Sequence, residues 1–427
     1  MAETTPGGTD TLAPTPSTTS PGATAAETAV IGGAAAGDTS IRPFQFHASD
    51  EDLADLKRRI AATRWPERET VADDTQGVQL ATIQKLADHW LNHDWRRIEA
   101  RINSYPNFVT EVDGLDMHFI HVKSKHEGAL PLIVTHGWPG SVIEQLKIID
   151  PLTDPTAHGG KAEDAFDVVI PSMPGYGFSG KPSTAGWGPE RIASGSIALM
   201  KRLGYDRFIA SGGDWGALIT DQMGVQAPPE LLGIHTNMAG AIPPEVDAAA
   251  FAGGPPPAGL DEEELYSFDH VSFFYKNGLG YANEMGHRPQ TLYGLADSPV
   301  ALAAWIIDHD IWTYRQIARI FDGEQLGLTK DDIVDNIALY WLTNTGVSSA
   351  RLYWENKLAF FAPKGVNVPT VVSAFPEEIC PIPKKWAEKA YPKLLYYKKH
   401  PEGAHFAAWE QPQAIVEDLR AGFRSLR

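Results

Sequence analysis

The sequence predicts an α/β protein with a mostly parallel sheet, on the basis of two observations. From about residue 108 to residue 236, short apolar runs typical of buried strands alternate with segments of helical periodicity. After a long helical interruption, two further strand-like runs and a final helix complete the chain. Parallel strands need crossover connections, so this alternation predicts a sheet whose carboxyl ends share one ligand-binding edge.

Composition narrows the class of protein. The 427 residues are 43% hydrophobic and carry a net charge of -18, which allows a large core and argues against a nucleic-acid partner. Cys380 is the only cysteine, so no internal disulfide can form. The sequence contains neither a signal-peptide pattern nor an apolar run long enough to cross a bilayer. We therefore expect a cytoplasmic protein with no membrane span, for which an oligomeric state is open.

Pattern changes along the chain predict five segments. Residues 41–106 read as a helical arm that precedes any strand and packs on a separate body. The full division is a disordered low-complexity tail at 1–40, the N-terminal helical arm at 41–106, the first part of the core at 107–240, a helical lid at 241–365 and the second part of the core at 366–427.

Each predicted element has its own local signal. In the arm, Ser49 caps a helix, and helical spacing marks two more at about 79–92 and 95–102. Asp113-Gly114 separates two alternating runs and predicts a hairpin. The other predicted core strands lie at 131–135, 166–171, 208–210, 231–236, 368–375 and 394–397, and the helices lie near 142–149, 189–203, 217–223 and 412–425.

The turn from Gly212 to Gly216 is the point around which the chain is organised. It has the pattern Gly-x-Asp-x-Gly, and it stands between a predicted strand and a predicted helix. Small neighbours allow the central Asp214 a strained backbone at such a turn. The pattern is that of the nucleophile elbow of α/β-hydrolases, with Asp in place of Ser. The alternative interpretation is a glycine-rich turn whose Asp caps the helix.

A carboxylate nucleophile needs a base and an acid that orients the base, and the chain has candidates for both after Asp214. Asp214 would form an ester, which a base must help water to hydrolyse. His405 follows the last predicted strand, where such enzymes place their histidine. Glu378 follows the preceding strand and would orient that histidine, with Glu377 as an adjacent competitor.

The oxyanion hole is predicted from two backbone N–H groups, those of Trp138 and Trp215. Pro139 lacks an N–H group and would fix its turn, with a cis bond as one way of doing so. His136 in the same turn reads as a hydrogen-bonding scaffold residue rather than as a base.

At these residues the chain resembles the epoxide hydrolases of the α/β-hydrolase fold, specifically the microsomal-type branch with its N-terminal region. The resemblance covers roughly residues 41–427. The motifs that carry it are Arg64-Trp65-Pro66-Glu67, the His-Gly-Trp-Pro-Gly-Ser turn at 136–141, Gly-Gly-Asp-Trp-Gly at 212–216, Arg351-Leu352-Tyr353-Trp354-Glu355-Asn356, Ser373-Ala374-Phe375-Pro376-Glu377-Glu378 and Gly403-Ala404-His405-Phe406-Ala407-Ala408-Trp409-Glu410.

The resemblance implies an α/β-hydrolase fold with a mostly parallel sheet, a helical lid insertion and an N-terminal helical arm. It also implies roles for single residues. Asp214 matches the nucleophile, His405 the base, and Glu378 rather than Glu377 the acid. Tyr353 matches one of the two lid tyrosines that hold the epoxide oxygen. Tyr281 matches the other, although its neighbouring residues fit the family pattern less well. The membrane-spanning N-terminus of that branch is not carried over, because this chain begins with a polar tail.

We therefore expect an epoxide hydrolase that converts a small apolar epoxide and water to a vicinal diol, without a cofactor or a metal ion. No His-Glu-x-x-His spacing occurs, and the glycines near residue 177 lack the lysine of a phosphate loop. The absence of Gly-x-Ser-x-Gly disfavours a serine esterase. Two alternatives stay open, namely a haloalkane dehalogenase-like hydrolase and a catalytically silent binding protein on the same fold.

Overall fold

The computed structural model describes residues 38–427, so most of the predicted tail at 1–40 lies outside the described residues. A nine-stranded sheet forms the centre of this part of the chain. Its strands are β1 (Arg42–Pro43), β2 (Asn107–Val112), β3 (Leu115–Val122), β4 (Leu130–Thr135), β5 (Phe166–Pro171), β6 (Phe208–Gly212), β7 (Leu231–Thr236), β8 (Thr370–Ala374) and β9 (Leu394–Lys399).

The sheet order is β1-β2-β3-β5-β4-β6-β7-β8-β9. Strands β1, β2 and β3 pair antiparallel, and β3 also pairs antiparallel with β5. Every later neighbour pair, from β5 and β4 to β8 and β9, is parallel. The predicted mostly parallel sheet is thus confirmed, and its carboxyl ends lie beneath the helices that interrupt the alternation.

Helices surround the sheet. Three belong to the arm, three to the first part of the core, eight to the lid region and three to the last part of the described chain. They are α1 (Asp50–Ala61), α2 (Leu80–Leu91), α3 (Trp95–Ser104), α4 (Leu146–Thr153), α5 (Pro189–Arg202), α6 (Trp215–Gln226), α7 (Pro244–Phe251), α8 (Glu262–Asn277), α9 (Gly280–His287), α10 (Gly294–Asp297), α11 (Pro299–Ile307), α12 (Ile311–Phe321), α13 (Lys330–Leu342), α14 (Gly346–Glu355), α15 (Lys384–Ala390), α16 (Ala407–Glu410) and α17 (Pro412–Gly422).

The arm differs from the prediction in one respect. Its helices begin as the sequence indicates, and the Ser49 side chain accepts the N–H of Asp52 at the start of α1. However, β1 precedes these helices and pairs with β2, so the expectation that the arm precedes any strand is wrong. A two-residue strand gives no detectable periodicity. Leu56 and Trp90 of the arm are buried in the same hydrophobic core as the sheet, so the arm packs directly on the body that holds the sheet, and the division into segments stays a prediction.

The lid holds the turn that follows β4. Asn336 in α13 donates to the carbonyl of Pro139 at 2.6 Å, and Tyr340 one turn later donates to the carbonyl of Gly140 at 2.7 Å. Ser141 donates to the Asn336 side-chain oxygen at 2.7 Å. Because these groups are buried, their hydrogen bonds fix the backbone of the turn against the lid.

Within residues 38–427, no helix combines the length and the apolar character needed to cross a bilayer.

Candidate active site

Asp214 lies at a strained turn between β6 and α6. Its backbone has φ +51° and ψ -127°, a conformation that costs a residue with a side chain on the order of 1–3 kcal/mol. The neighbouring glycines permit it, because a Cβ on Gly212 would lie 2.2 Å from the carbonyl oxygen of Gly216. A Cβ on Gly216 would in turn lie 2.0 Å from the carbonyl oxygen of Thr135. The turn therefore presents a buried carboxylate at the carboxyl end of the sheet.

The two oxygens of Asp214 face different groups. Oδ1 accepts the backbone N–H of Trp138 at 2.7 Å. The Trp138–Pro139 peptide bond in this turn is cis. Oδ2 lies 3.4 Å from Nε2 of His405 and faces the lid. Trp215 begins α6 directly after Asp214, and the use of its N–H as a second donor stays a prediction.

His405 and Glu378 form a buried pair beside Asp214. Nδ1 of His405 contacts Oε1 of Glu378 at 2.5 Å, and both side chains are almost fully buried. The backbone N–H of Ile379 donates to the same Glu378 oxygen at 2.8 Å, and Asn237 bridges Glu378 Oε2 and the carbonyl of His405. Glu377 is exposed. The structure thus brings Glu378, and not Glu377, against the imidazole.

These contacts favour a charged pair in a buried site. Burial lowers the pKa of His405, but the carboxylates of Glu378 and Asp214 outweigh it and raise that pKa well above its usual value. Burial raises the pKa of Asp214, but His405, His309 and the Trp138 N–H together lower it. Asp214 is therefore an anion in the resting site, as attack on carbon requires.

The two lid tyrosines reach the same space. Tyr281 in α9 stacks on Trp138 with ring centroids 5.2 Å apart, and Tyr353 in α14 packs edge-on against Trp215 at 4.7 Å. Their rings are 5.8 Å apart and nearly perpendicular. Burial and the negative charge of Asp214 both act to raise the pKa of each phenol well above 10, so both stay protonated donors at neutral pH.

His136 has a structural environment. Its Nδ1 contacts the Gly137 carbonyl at 2.9 Å, and its Nε2 accepts the N–H of Met173 at 3.2 Å. Burial lowers the pKa of His136 to about 4, so the ring is neutral at pH 7. Both ring nitrogens are occupied by backbone groups, which fits a scaffold residue and leaves no free nitrogen for a base.

Sequence reasoning missed His309. This buried residue lies between α11 and α12, with Nδ1 3.0 Å from Oδ2 of Asp310 and Nε2 3.9 Å from Oδ2 of Asp214. Its ring packs on that of His405 with centroids 4.8 Å apart. The signal available in the sequence was Asp308-His309-Asp310, a histidine between two acids inside an aromatic lid.

A small cavity lies behind the carboxylate. Its volume is about 20 Å³, above the roughly 10–15 Å³ that one water molecule needs. Asp214, Asn237 and His405 line it together with Glu144 and Gln145. The Glu144 Oε1 atom accepts from Gln145 Nε2 at 2.6 Å. Polar atoms around a space of this size make it suited to a single water next to the imidazole.

Replacing Glu144 should change how stability depends on pH. Burial raises the pKa of Glu144 from 4.5 to about 8, whereas in the unfolded chain the group ionises near 4.5. Between these values the unfolded state binds fewer protons, so the wild-type free energy of unfolding falls as pH rises. Glu144→Gln removes that loss, and its stability relative to wild type should rise from pH 5 to pH 8 by at most about 4 kcal/mol.

Urea unfolding of both proteins at pH 5 and pH 8 measures this difference. The titration of acids distant from residue 144 cancels in this comparison. A difference in unfolding free energy that stays constant across the range would contradict a neutral buried Glu144.

Two families match the sequence. The family described as epoxide hydrolase N terminus matches residues 41–145, and the one described as alpha/beta hydrolase fold matches residues 131–278. A putative epoxide hydrolase of Stigmatella aurantiaca (strain DW4/3-1) is 48% identical over 390 residues, covering 91% of this chain and 86% of that protein. Epoxide hydrolase 1 of Sus scrofa is 38% identical over 406 residues, covering 91% and 89%.

Solved structures agree with these sequence matches. The Aspergillus niger epoxide hydrolase superposes with a TM-score of 0.77 at 31% identity, covering 91% of this chain and 98% of that one. The relatives match the arm, the core and the lid together, and the fold expected from the elbow motif is confirmed. The chain therefore belongs to the epoxide hydrolase family of the α/β-hydrolase fold.

Proposed function

We propose that this protein converts an epoxide to a vicinal diol through an ester on Asp214, with His405 and Glu378 completing hydrolysis. The observation that carries the proposal is the asymmetry of the Asp214 carboxylate. Oδ1 accepts the Trp138 N–H, whereas Oδ2 lies 3.4 Å from Nε2 of His405 and faces the lid. A carboxylate held in this way has one oxygen for attack on carbon and one for the oxyanion hole.

In the first step, Oδ2 of Asp214 attacks an epoxide carbon and forms the ester C–O bond. The ring C–O bond breaks, and the oxygen that leaves carbon takes a proton from Tyr353 or Tyr281. A phenol with a raised pKa is neutral beforehand, so it can donate to an oxygen only as negative charge develops there. Two donors from different helices also hold the ring for attack from the opposite side.

In the second step, Asp214 is esterified and uncharged, so the pKa of His405 falls and its Nε2 proton passes to the phenolate. A water in the small cavity then loses a proton to Nε2 of His405 and attacks the carbonyl carbon of the ester. The N–H groups of Trp138 and Trp215 stabilise the oxyanion, and Glu378 stabilises the imidazolium. When this tetrahedral intermediate collapses, the acyl C–O bond breaks, the diol is released and the carboxylate is restored. One proton of this water passes through His405 to the oxygen that leaves, and the other returns His405 to its protonated state as the carboxylate is restored, so the net reaction consumes one water.

The substrate class follows from the walls of the site. The rings of Trp138 and Trp215 pack against the two tyrosines. Phe360 packs edge-on against Trp215 at 4.9 Å, and Phe406 packs on His309 with ring centroids 5.8 Å apart. An aromatic pocket with few polar groups favours an apolar epoxide.

Diol release from a panel of epoxides that includes styrene oxide, compared with chloride release from 1-chloroalkanes, tests the function. We expect diol and no chloride. Chloride without diol would support a dehalogenase, and neither product together with tight binding would support the silent binding protein.

Tyr353→Phe should slow ring opening while leaving ester hydrolysis intact. Loss of one of two proton donors should lower the alkylation rate by about 10–100-fold, a part of what acid catalysis contributes. Stopped-flow tryptophan fluorescence measures alkylation separately from turnover. Tyr293→Phe, at an exposed lid tyrosine, is the matched control. An alkylation rate for Tyr353→Phe equal to that of the control would remove Tyr353 from the mechanism.

A further inference from the structure

Three side chains far apart in sequence converge on one point. Oδ2 of Asp214, Nε2 of His309 and Nε2 of His405 all lie within 4.8 Å of one another, and all three residues are buried. Within residues 38–427, neither Nε2 atom has a hydrogen-bond partner of normal geometry. Two imidazole nitrogens and a carboxylate oxygen are ligands that Zn²⁺ prefers.

The spacing is close to that of a zinc site. Ligands at about 2.0–2.1 Å in a tetrahedron lie about 3.3 Å from one another. His405 already lies 3.4 Å from the Asp214 oxygen, and His309 lies 3.9 Å from it. Binding would therefore need His309 to move on the order of 1 Å, which leaves a fourth position for water.

The contacts of Nδ1 in the two histidines also resemble those of histidines that ligate zinc. Nδ1 of His309 contacts Asp310 at 3.0 Å, and Nδ1 of His405 contacts Glu378 at 2.5 Å. Carboxylates on the far nitrogen fix each ring with Nε2 toward the shared point, the arrangement typical of histidines that ligate zinc, and the ion would displace the proton from Nε2 of His405. Asp310 itself is fixed, since it accepts the N–H groups of Trp312 and Thr313 at the start of α12.

We infer that Asp214, His309 and His405 form a binding site for a divalent zinc ion, and that the bound ion switches the hydrolase off. The ion would occupy the attacking oxygen of Asp214 and the basic nitrogen of His405, so the metal and the epoxide exclude each other. The binding depends only on the three ligands. The inhibition also rests on the proposed roles of Asp214 and His405.

Three variants separate this site from adventitious binding of zinc. His309→Phe removes one ligand and keeps a ring among Tyr281, Phe406 and His405. Asp310→Asn keeps an oxygen that caps α12 but loses the negative charge behind His309. The control is His287→Gln, at an exposed histidine in α9.

Direct metal binding is measured first, by calorimetry with Zn²⁺ and by the visible spectrum of the protein with Co²⁺. We expect about one ion per chain and the absorption of four-coordinate cobalt. His309→Phe should weaken binding by at least about 100-fold, and Asp310→Asn by about 10–100-fold. His287→Gln should bind as wild type does. These readouts need no substrate, so they stand even if the proposed epoxide chemistry fails.

Inhibition is measured next, relative to the metal-free rate of each protein. Zinc should raise KM for the epoxide with little change in kcat, and a chelator should restore the rate. His309→Phe should resist zinc at concentrations that inhibit wild type and His287→Gln. Equal zinc affinity in wild type and His309→Phe would overturn the proposed site. Binding at the site without inhibition would overturn the proposed switch.

Discussion

Asp214→Ala is expected to lose turnover by at least about 10⁴-fold, because no other group at the turn can form the ester. The Trp138 N–H and the tyrosines remain in this variant, so binding of the epoxide should persist while chemistry stops. Rates of diol release at saturating epoxide measure the chemical step, and a separate measurement of epoxide binding shows whether binding persists.

Alanine at φ +51° carries the same backbone strain as aspartate, so the fold of this variant needs its own check. Circular dichroism and the unfolding temperature provide it, and Asp214→Asn, which keeps the shape of the side chain, serves as a second variant. A folded Asp214→Ala protein with more than a few per cent of wild-type turnover would rule out the ester on this residue.

His405→Gln is expected to form the ester and then stop. Asp214 keeps its attacking oxygen and the tyrosines keep their protons, so ring opening proceeds. A water in the cavity beside residue 405, however, would lack the proposed base. Mixing this variant with excess epoxide should give a burst of about one equivalent, seen by intact mass as protein plus epoxide.

Glu377→Gln is the control for this second experiment, because Glu377 adjoins the proposed acid in sequence but is exposed. It should hydrolyse the ester as wild type does. If His405→Gln shows no adduct while Glu377→Gln turns over normally, the imidazole is needed for alkylation and the proposed division of roles is wrong.

Much of the fold could be predicted because its signals are local. The alternation of apolar runs and helical periods marked the strands from β2 to β9, and Gly212 and Gly216 marked the turn that holds Asp214. Strand β1 was not predicted, because two residues are too few to show a hydrophobic period. It is a strand only through its pairing with β2. The boundary between arm and sheet therefore needed the three-dimensional structure.

The candidate site divides in a similar way. Asp214, Glu378 and His405 follow strands in an order that the α/β-hydrolase pattern specifies, so they could be predicted as candidates from the sequence. The choice between Glu378 and Glu377 came from the family resemblance, and the structure shows which of the two contacts the imidazole.

His309 and Glu144 were not found, for a physical reason. Each acquires its importance from burial beside Asp214, and burial of a polar side chain in a helical segment has no sequence period of its own. A lid residue such as His309 reaches the site only because α11 and α12 fold over the sheet. Clusters of this kind, drawn from three distant loops, are what sequence spacing rules for metal sites miss.

A single turnover in ¹⁸O-labelled water tests the central claim most directly, with enzyme in excess over epoxide. If the ester forms on Asp214 and water attacks its carbonyl carbon, the first diol carries only unlabelled oxygen. The label then appears in the peptide that contains Asp214. Label in the first diol, with none in that peptide, would mean that water attacks the epoxide directly and would contradict the account.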